Sequence, residues 1–102
     1  LFNHVLENNK FNEEAKNLII LKKAIFQSDF ISEPELLETI KPVINSDSLW
    51  KPHGLMLLGD YFFYQQEFIK SKEFYLKILS LKNLQTDLYE QAKSQLALIA
   101  NN

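Results

Sequence analysis

Cysteine is absent from this 102-residue chain, which removes disulfide frameworks, thiolate zinc sites and cysteine nucleophiles together. Glycine occurs twice and proline three times, a scarcity that suits helices joined by short connections. Neither sign of charge is in excess. Eleven basic and thirteen acidic residues leave a net charge of -2 with no basic cluster, which disfavours a nucleic-acid partner. No apolar run reaches the roughly 20 residues that span a bilayer. The first residue is leucine, and no charged, apolar and small-residue signal pattern follows it. The chain therefore reads as part of a longer protein, with any anchor or targeting segment upstream. What is present is a 46% share of hydrophobic residues, enough to bury a core without disulfides or metal at a modest stability margin.

Residues that carry chemistry are equally sparse. His4 and His53 are far apart and fit no metal-ligand spacing, so each reads as a surface or groove residue. Glu33, Glu35 and Glu38 cluster at a helix start, where capping and the helix dipole account for them without an acid/base role. Lys22, Lys23, Lys70, Lys72 and Lys77 are spread over solvated faces, and no phosphate loop or nucleophile elbow occurs. The expectation is a non-enzymatic protein with no metal, no cofactor and no catalytic residues.

Hydrophobic spacing organises the chain into helices. Phe2, Val5 and Leu6 read as the end of a helix, with Glu7 to Lys10 as the turn after it. Asn12 can cap the next helix, with Glu13 and Glu14 in its first turn. That helix is apolar on more than one face through Ala15, Leu18, Ile19, Leu21, Ala24, Ile25 and Phe26, so it should be sandwiched between neighbours. Residues 27–31 break the pattern. Ser32 and Glu35 then have capping-box spacing, with Pro34 in the first turn. Leu36, Leu37, Ile40, Val43 and Ile44 form one stripe, although Pro42 predicts a kink or an early end near Lys41. Asn45 to Ser48 is a polar turn leading to Trp50 and another helix. Phe68, Phe74, Tyr75, Ile78 and Leu79 line the one after. A last helix runs from Thr86 or Asp87 through Leu88, Ala92, Leu96 and Ile99, with Asp87 and Glu90 at capping-box spacing.

The most specific pattern lies in the middle of the chain. Leu55, Leu58, Gly59, Phe62, Ser71 and Tyr75 resemble the core of a tetratricopeptide repeat, in which Leu-Gly, an aromatic, a small residue and a second aromatic recur at fixed offsets. A mid-helix glycine costs about 1 kcal/mol relative to alanine, and close approach of a facing helix at Ser71 would compensate for Gly59. Two positions depart from the pattern: the expected tryptophan is Leu55, and the expected closing proline is Asn83. Shifting the chain by the roughly 34-residue period sets Ala24 against Leu58 and Ile25 against Gly59, so the upstream repeat is degenerate. The resemblance implies an all-α, right-handed α-solenoid of antiparallel hairpins. It would have about five helices plus an N-terminal remnant in one domain, 1–102, with residues 52–85 as the best repeat.

The order of segments also resembles the C-terminal part of bacterial YfgM-like proteins, ancillary subunits of the SecYEG translocon. Glu13-Glu14-Ala15, Glu33-Pro34-Glu35-Leu36, Ser48-Leu49-Trp50 before Leu57-Leu58-Gly59, and Leu88 through Leu98 carry this likeness. It implies a periplasm-facing domain tethered to the bacterial inner membrane, with export-channel or periplasmic chaperone components as partners. A cytoplasmic location is the alternative.

Repeat geometry places His53, Met56, Asp60, Phe63 and Tyr64 on a concave groove for apolar or helical peptide segments. Asp60 would repel a carboxylate, which argues against the subclass of such repeats that grips chaperone C-termini. The expected function is thus a protein-interaction scaffold. The alternative is a homo-oligomerisation or assembly module of a soluble bacterial protein, formed where an uncovered helix meets a second copy.

Overall fold

The computed structural model describes residues 2–101, with side-chain environments given for residues 10–101. It is all-helical: α1 (Phe2–Gln27), α2 (Glu33–Ile44), α3 (Lys51–Tyr64), α4 (Phe68–Leu79) and α5 (Thr86–Ala100), with no strand among the described residues. The helices fall into two compact units, Leu1–Lys51 and Pro52–Asn102.

In the first unit α1 runs unbroken through Glu7 to Lys10, where a turn is predicted, so the expected remnant and the helix after it are one element. Polarity alone does not end a helix, and this stretch holds neither glycine nor proline. The burial of Phe2, Val5 and Leu6, and the environment of His4, lie outside the described side chains. Asn12 is consequently not a cap, and Glu13 and Glu14 sit in mid-helix. Glu14 has a different task. Its carboxylate accepts the Leu49 backbone N–H at 2.7 Å and the Ser48 hydroxyl at 3.4 Å, and its main-chain carbonyl accepts the Trp50 indole N–H at 3.1 Å. Asn17 donates to the same carboxylate at 3.3 Å. Three consecutive residues after α2 are thereby tied to one residue of α1.

Ser32 caps α2 as its spacing predicts. Its hydroxyl oxygen accepts from the Glu35 N–H at 3.4 Å and its hydroxyl donates to the Glu35 carboxylate at 3.1 Å, with Pro34 in the first turn. Leu36, Ile40 and Val43 are buried, and α1, which packs against α2, buries Leu21 and Ala24. Helix α2 does not end at Lys41. It continues to Ile44, and the Asn45 N–H returns to the Lys41 carbonyl at 3.0 Å. Pro42 falls in the last turn, is exposed, and removes only one donor from the ladder.

In the second unit α3 and α4 form an antiparallel hairpin across a three-residue connection. The Glu67 N–H bonds the Phe62 carbonyl at 2.9 Å and the Gln66 N–H bonds the Phe63 carbonyl at 3.0 Å, the paired bonds of a Schellman motif. Gln66 occupies its left-handed position at φ 62°. Asn83, between α4 and α5, is also left-handed at φ 58°. A proline ring fixes φ near −65°, so this backbone cannot accept one there. Helix α5 packs on α4 and starts at Thr86 after Gln85, with no side-chain cap. Asp87 is already inside the first turn, where it favours the helix dipole, and the predicted Asp87–Glu90 capping box does not form.

The left-handed Gln66 costs about 1 to 2 kcal/mol that glycine does not incur. Gln66→Gly should raise the stability of the chain by about 0.5 to 1 kcal/mol after the extra freedom of the unfolded glycine is subtracted. Urea denaturation followed by circular dichroism checks this through the midpoint of the transition.

Candidate functional site

The second unit is organised around Gly59. Leu55, Leu58, Gly59, Phe62, Ser71 and Tyr75 are all buried, four of them with no exposure above 1%. The Tyr75 ring of α4 lies directly over Gly59. A Cβ at that position would stand 2.6 Å from Tyr75 Cε1 and 2.8 Å from Cδ1. Beside it the Ser71 hydroxyl donates to the Gly59 carbonyl at 2.7 Å, so backbone and side chain meet without a spacer. On the other flank Phe62 and Phe74 stack at 5.6 Å with their planes 10° apart. Lys70 lies over the Phe62 ring and Lys77 over the Phe74 ring, at 5.4 and 5.0 Å.

Because the ring passes over glycine, the Tyr75 hydroxyl reaches beyond α3's backbone. It donates to Asp60 Oδ1 at 2.5 Å and accepts from the Gln95 side-chain amide of α5 at 3.3 Å. One residue of α4 thus joins all three helices of the unit. Burial pushes the Asp60 carboxyl above its ordinary 3.8, and the hydrogen bond from Tyr75 offsets part of that rise. Burial, followed by the bond to Asp60, pushes the Tyr75 hydroxyl well above the usual tyrosine range.

The joint forms the edge of an open groove of about 420 Å³. Met56, Asp60 and Tyr64, spaced four residues apart, supply the α3 side, and Glu90, Gln91, Ser94 and Gln95 supply the α5 side. Met56 is nearly closed off, Asp60 is half-buried and Tyr64 is 80% exposed. Two of the five sequence-selected residues lie elsewhere. Phe63 packs edge-on against Phe68 at 5.6 Å and against Tyr64 at 5.9 Å, on the side of the α3–α4 connection. His53 is half-buried near the start of α3 and does not line the groove. The α5 residues escaped the sequence reading because Glu90, Gln91, Ser94 and Gln95 are ordinary surface residue types, and only the Tyr75 tether indicates which face of α5 they occupy.

The groove can offer an apolar contact at Met56, an exposed aromatic at Tyr64, two carboxylates and three neutral hydrogen-bonding side chains, with no lysine in its lining. A wider hollow of about 660 Å³ in the first unit surrounds the Glu14 bonds and is lined by both signs of charge. Among the described residues no three histidine, aspartate or glutamate side chains are grouped so that they could hold a metal ion. Among the described residues no helix is long and apolar enough to cross a membrane. No family model, curated protein or solved structure matches this chain.

Adding a methyl group at Gly59 presses it into a ring that has no room to retreat. Overpacking of about 1 to 3 kcal/mol outweighs the roughly 1 kcal/mol of helix propensity gained. Gly59→Ala should therefore lower stability by up to about 2 kcal/mol, read from the urea midpoint.

Asp60 gives a second measurement. Its folded-state value is raised, so the folded chain keeps a proton that the unfolded chain has lost, and unfolding releases it. Its contribution to stability is complete below 3.8 and is lost as pH rises through the raised folded value. Wild type should gain stability relative to Asp60→Asn as pH is lowered from neutral toward 4 in urea titrations, and a pH-independent difference would refute the assignment.

Proposed function

We propose that this chain is a non-enzymatic protein-interaction scaffold, in which the α3–α4 hairpin is a tetratricopeptide-like repeat and the α3–α5 groove holds a segment of a partner protein. The observation that carries the reading is the groove itself. Its α3 residues recur once per helical turn, the spacing that accepts a partner helix or a short extended segment, and the Tyr75 joint fixes the distance to α5. Asp60 and Glu90 with no opposing lysine favour a partner segment that places lysine or arginine beside an apolar side chain.

The close approach at Gly59, with Ser71 and Tyr75 facing it, supports the repeat assignment because that is the job the repeat's Leu-Gly, small and aromatic positions share. The solenoid arrangement is part of this proposal. So is the setting implied by the YfgM-like resemblance, a membrane-tethered adaptor in the periplasm that serves export-channel or chaperone components.

Fluorescence anisotropy with a labelled amphipathic helix of leucine and lysine tests the groove. Tyr64→Ala and Glu90→Lys should each weaken binding about tenfold or more, the loss expected of a central contact, whereas Phe63→Ala should leave it within about twofold. Equal sensitivity at all three positions, or at none, removes the groove from the proposal.

A further inference from the structure

Asp60 is bonded through one oxygen only. The Tyr75 hydroxyl accepts from Gln95 and so turns its own proton toward Asp60 Oδ1, while among the described residues nothing bonds Oδ2. The carboxylate lines the groove between Met56 and Tyr64, about one turn from each. No cation in the groove answers it. The lining has no lysine or histidine, and the chain has no arginine. The other ionisable groups around Asp60 are Tyr64 on α3, Tyr75 on α4 and Glu90 on α5, while His53, earlier on α3, lies outside the lining.

An occupant lying over Asp60 takes away the water that solvates it. A carboxylate stripped of water needs either a cation or a proton. Burial already holds the Asp60 carboxyl above 3.8; a neutral occupant raises it further, whereas a cationic one lowers it. Resting on the groove reading above, we propose that Asp60 makes the groove a pH-dependent selector of partner segments. Ionised, it takes a segment that brings lysine or arginine. Protonated on its open oxygen, it becomes a donor and takes a segment that brings a neutral acceptor, such as a glutamine or asparagine side chain. A cationic segment therefore releases the proton that Asp60 carries in acid, and a neutral one takes a proton up. Between the free and occupied values of Asp60, lowering the pH weakens the first and strengthens the second, each by up to about tenfold per unit for one linked proton.

Fluorescence anisotropy with two labelled amphipathic helices tests this on the 102-residue chain. One helix is built of leucine and lysine, the other has glutamine at every lysine, and both have blocked ends so that neither titrates between neutral pH and about pH 4.5. The preference of the wild type for the lysine helix should shrink by about tenfold or more across that range. Asp60→Asn, whose side-chain carbonyl can still accept from Tyr75, should hold its preference within about twofold, and Glu90→Gln should keep the wild-type shift. Because Asp60→Asn shares every other change in charge, the comparison isolates residue 60, and urea titration at each pH checks that both variants are folded. A shift that persists in Asp60→Asn, or that disappears in Glu90→Gln, overturns the proposal by placing the titrating group elsewhere. If both helices bind and the preference does not move, the selector fails and the groove stands. If neither helix binds at either pH, the groove fails and the selector with it.

Discussion

The ring of Tyr75 resting on a residue without a side chain is the contact from which the second unit is built. Any other residue at 59 would hold α4 away from α3, and the hydroxyl would then fall short of Asp60 and Gln95. With glycine there, one aromatic side chain does two jobs. Its body fills the interior, where it is fully buried, and its polar tip ends beneath the groove, bonded to a carboxylate and an amide that line the two walls. A buried hydroxyl without partners would be costly, so the same three helices that close the core also satisfy the group they bury.

The first unit uses a related device with different parts. Glu14 gives its carboxylate to two consecutive residues and its backbone carbonyl to the indole of a third. A segment between helices, which would otherwise expose free N–H groups, takes its conformation from a helix more than thirty positions earlier. In both units a polar bond between distant residues fixes what apolar packing alone would leave free to slide.

Helices α2 to α5 were legible in the sequence because their signals are local. The Ser32–Glu35 spacing, the Leu36–Val43 stripe and the polar turns act over a few residues, and the structure follows them. Three of the errors share one cause. Glu7 to Lys10, Asn12 with Glu14, and Asp87 with Glu90 were all read from residue types that favour turns or caps. Such preferences amount to a kcal/mol or less and yield to an uninterrupted helix or to a distant partner. The site was half legible. Met56, Asp60 and Tyr64 follow from helical spacing once Gly59 is taken to face inward. Their counterparts on α5 depend on a hydrogen bond twenty residues away, which no local pattern encodes.

The contact at Gly59 also bears on how this molecule can change over time. An enlarged residue 59 is tolerable only with a smaller residue 75, and a smaller residue 75 strands the carboxylate at 60 and the amide at 95. A change at 59 or 75 is therefore felt at the other and at both groove walls. In a lineage these four positions should be inherited as one character, kept together or exchanged together, while the exposed Gln65 and Lys72 near them drift freely.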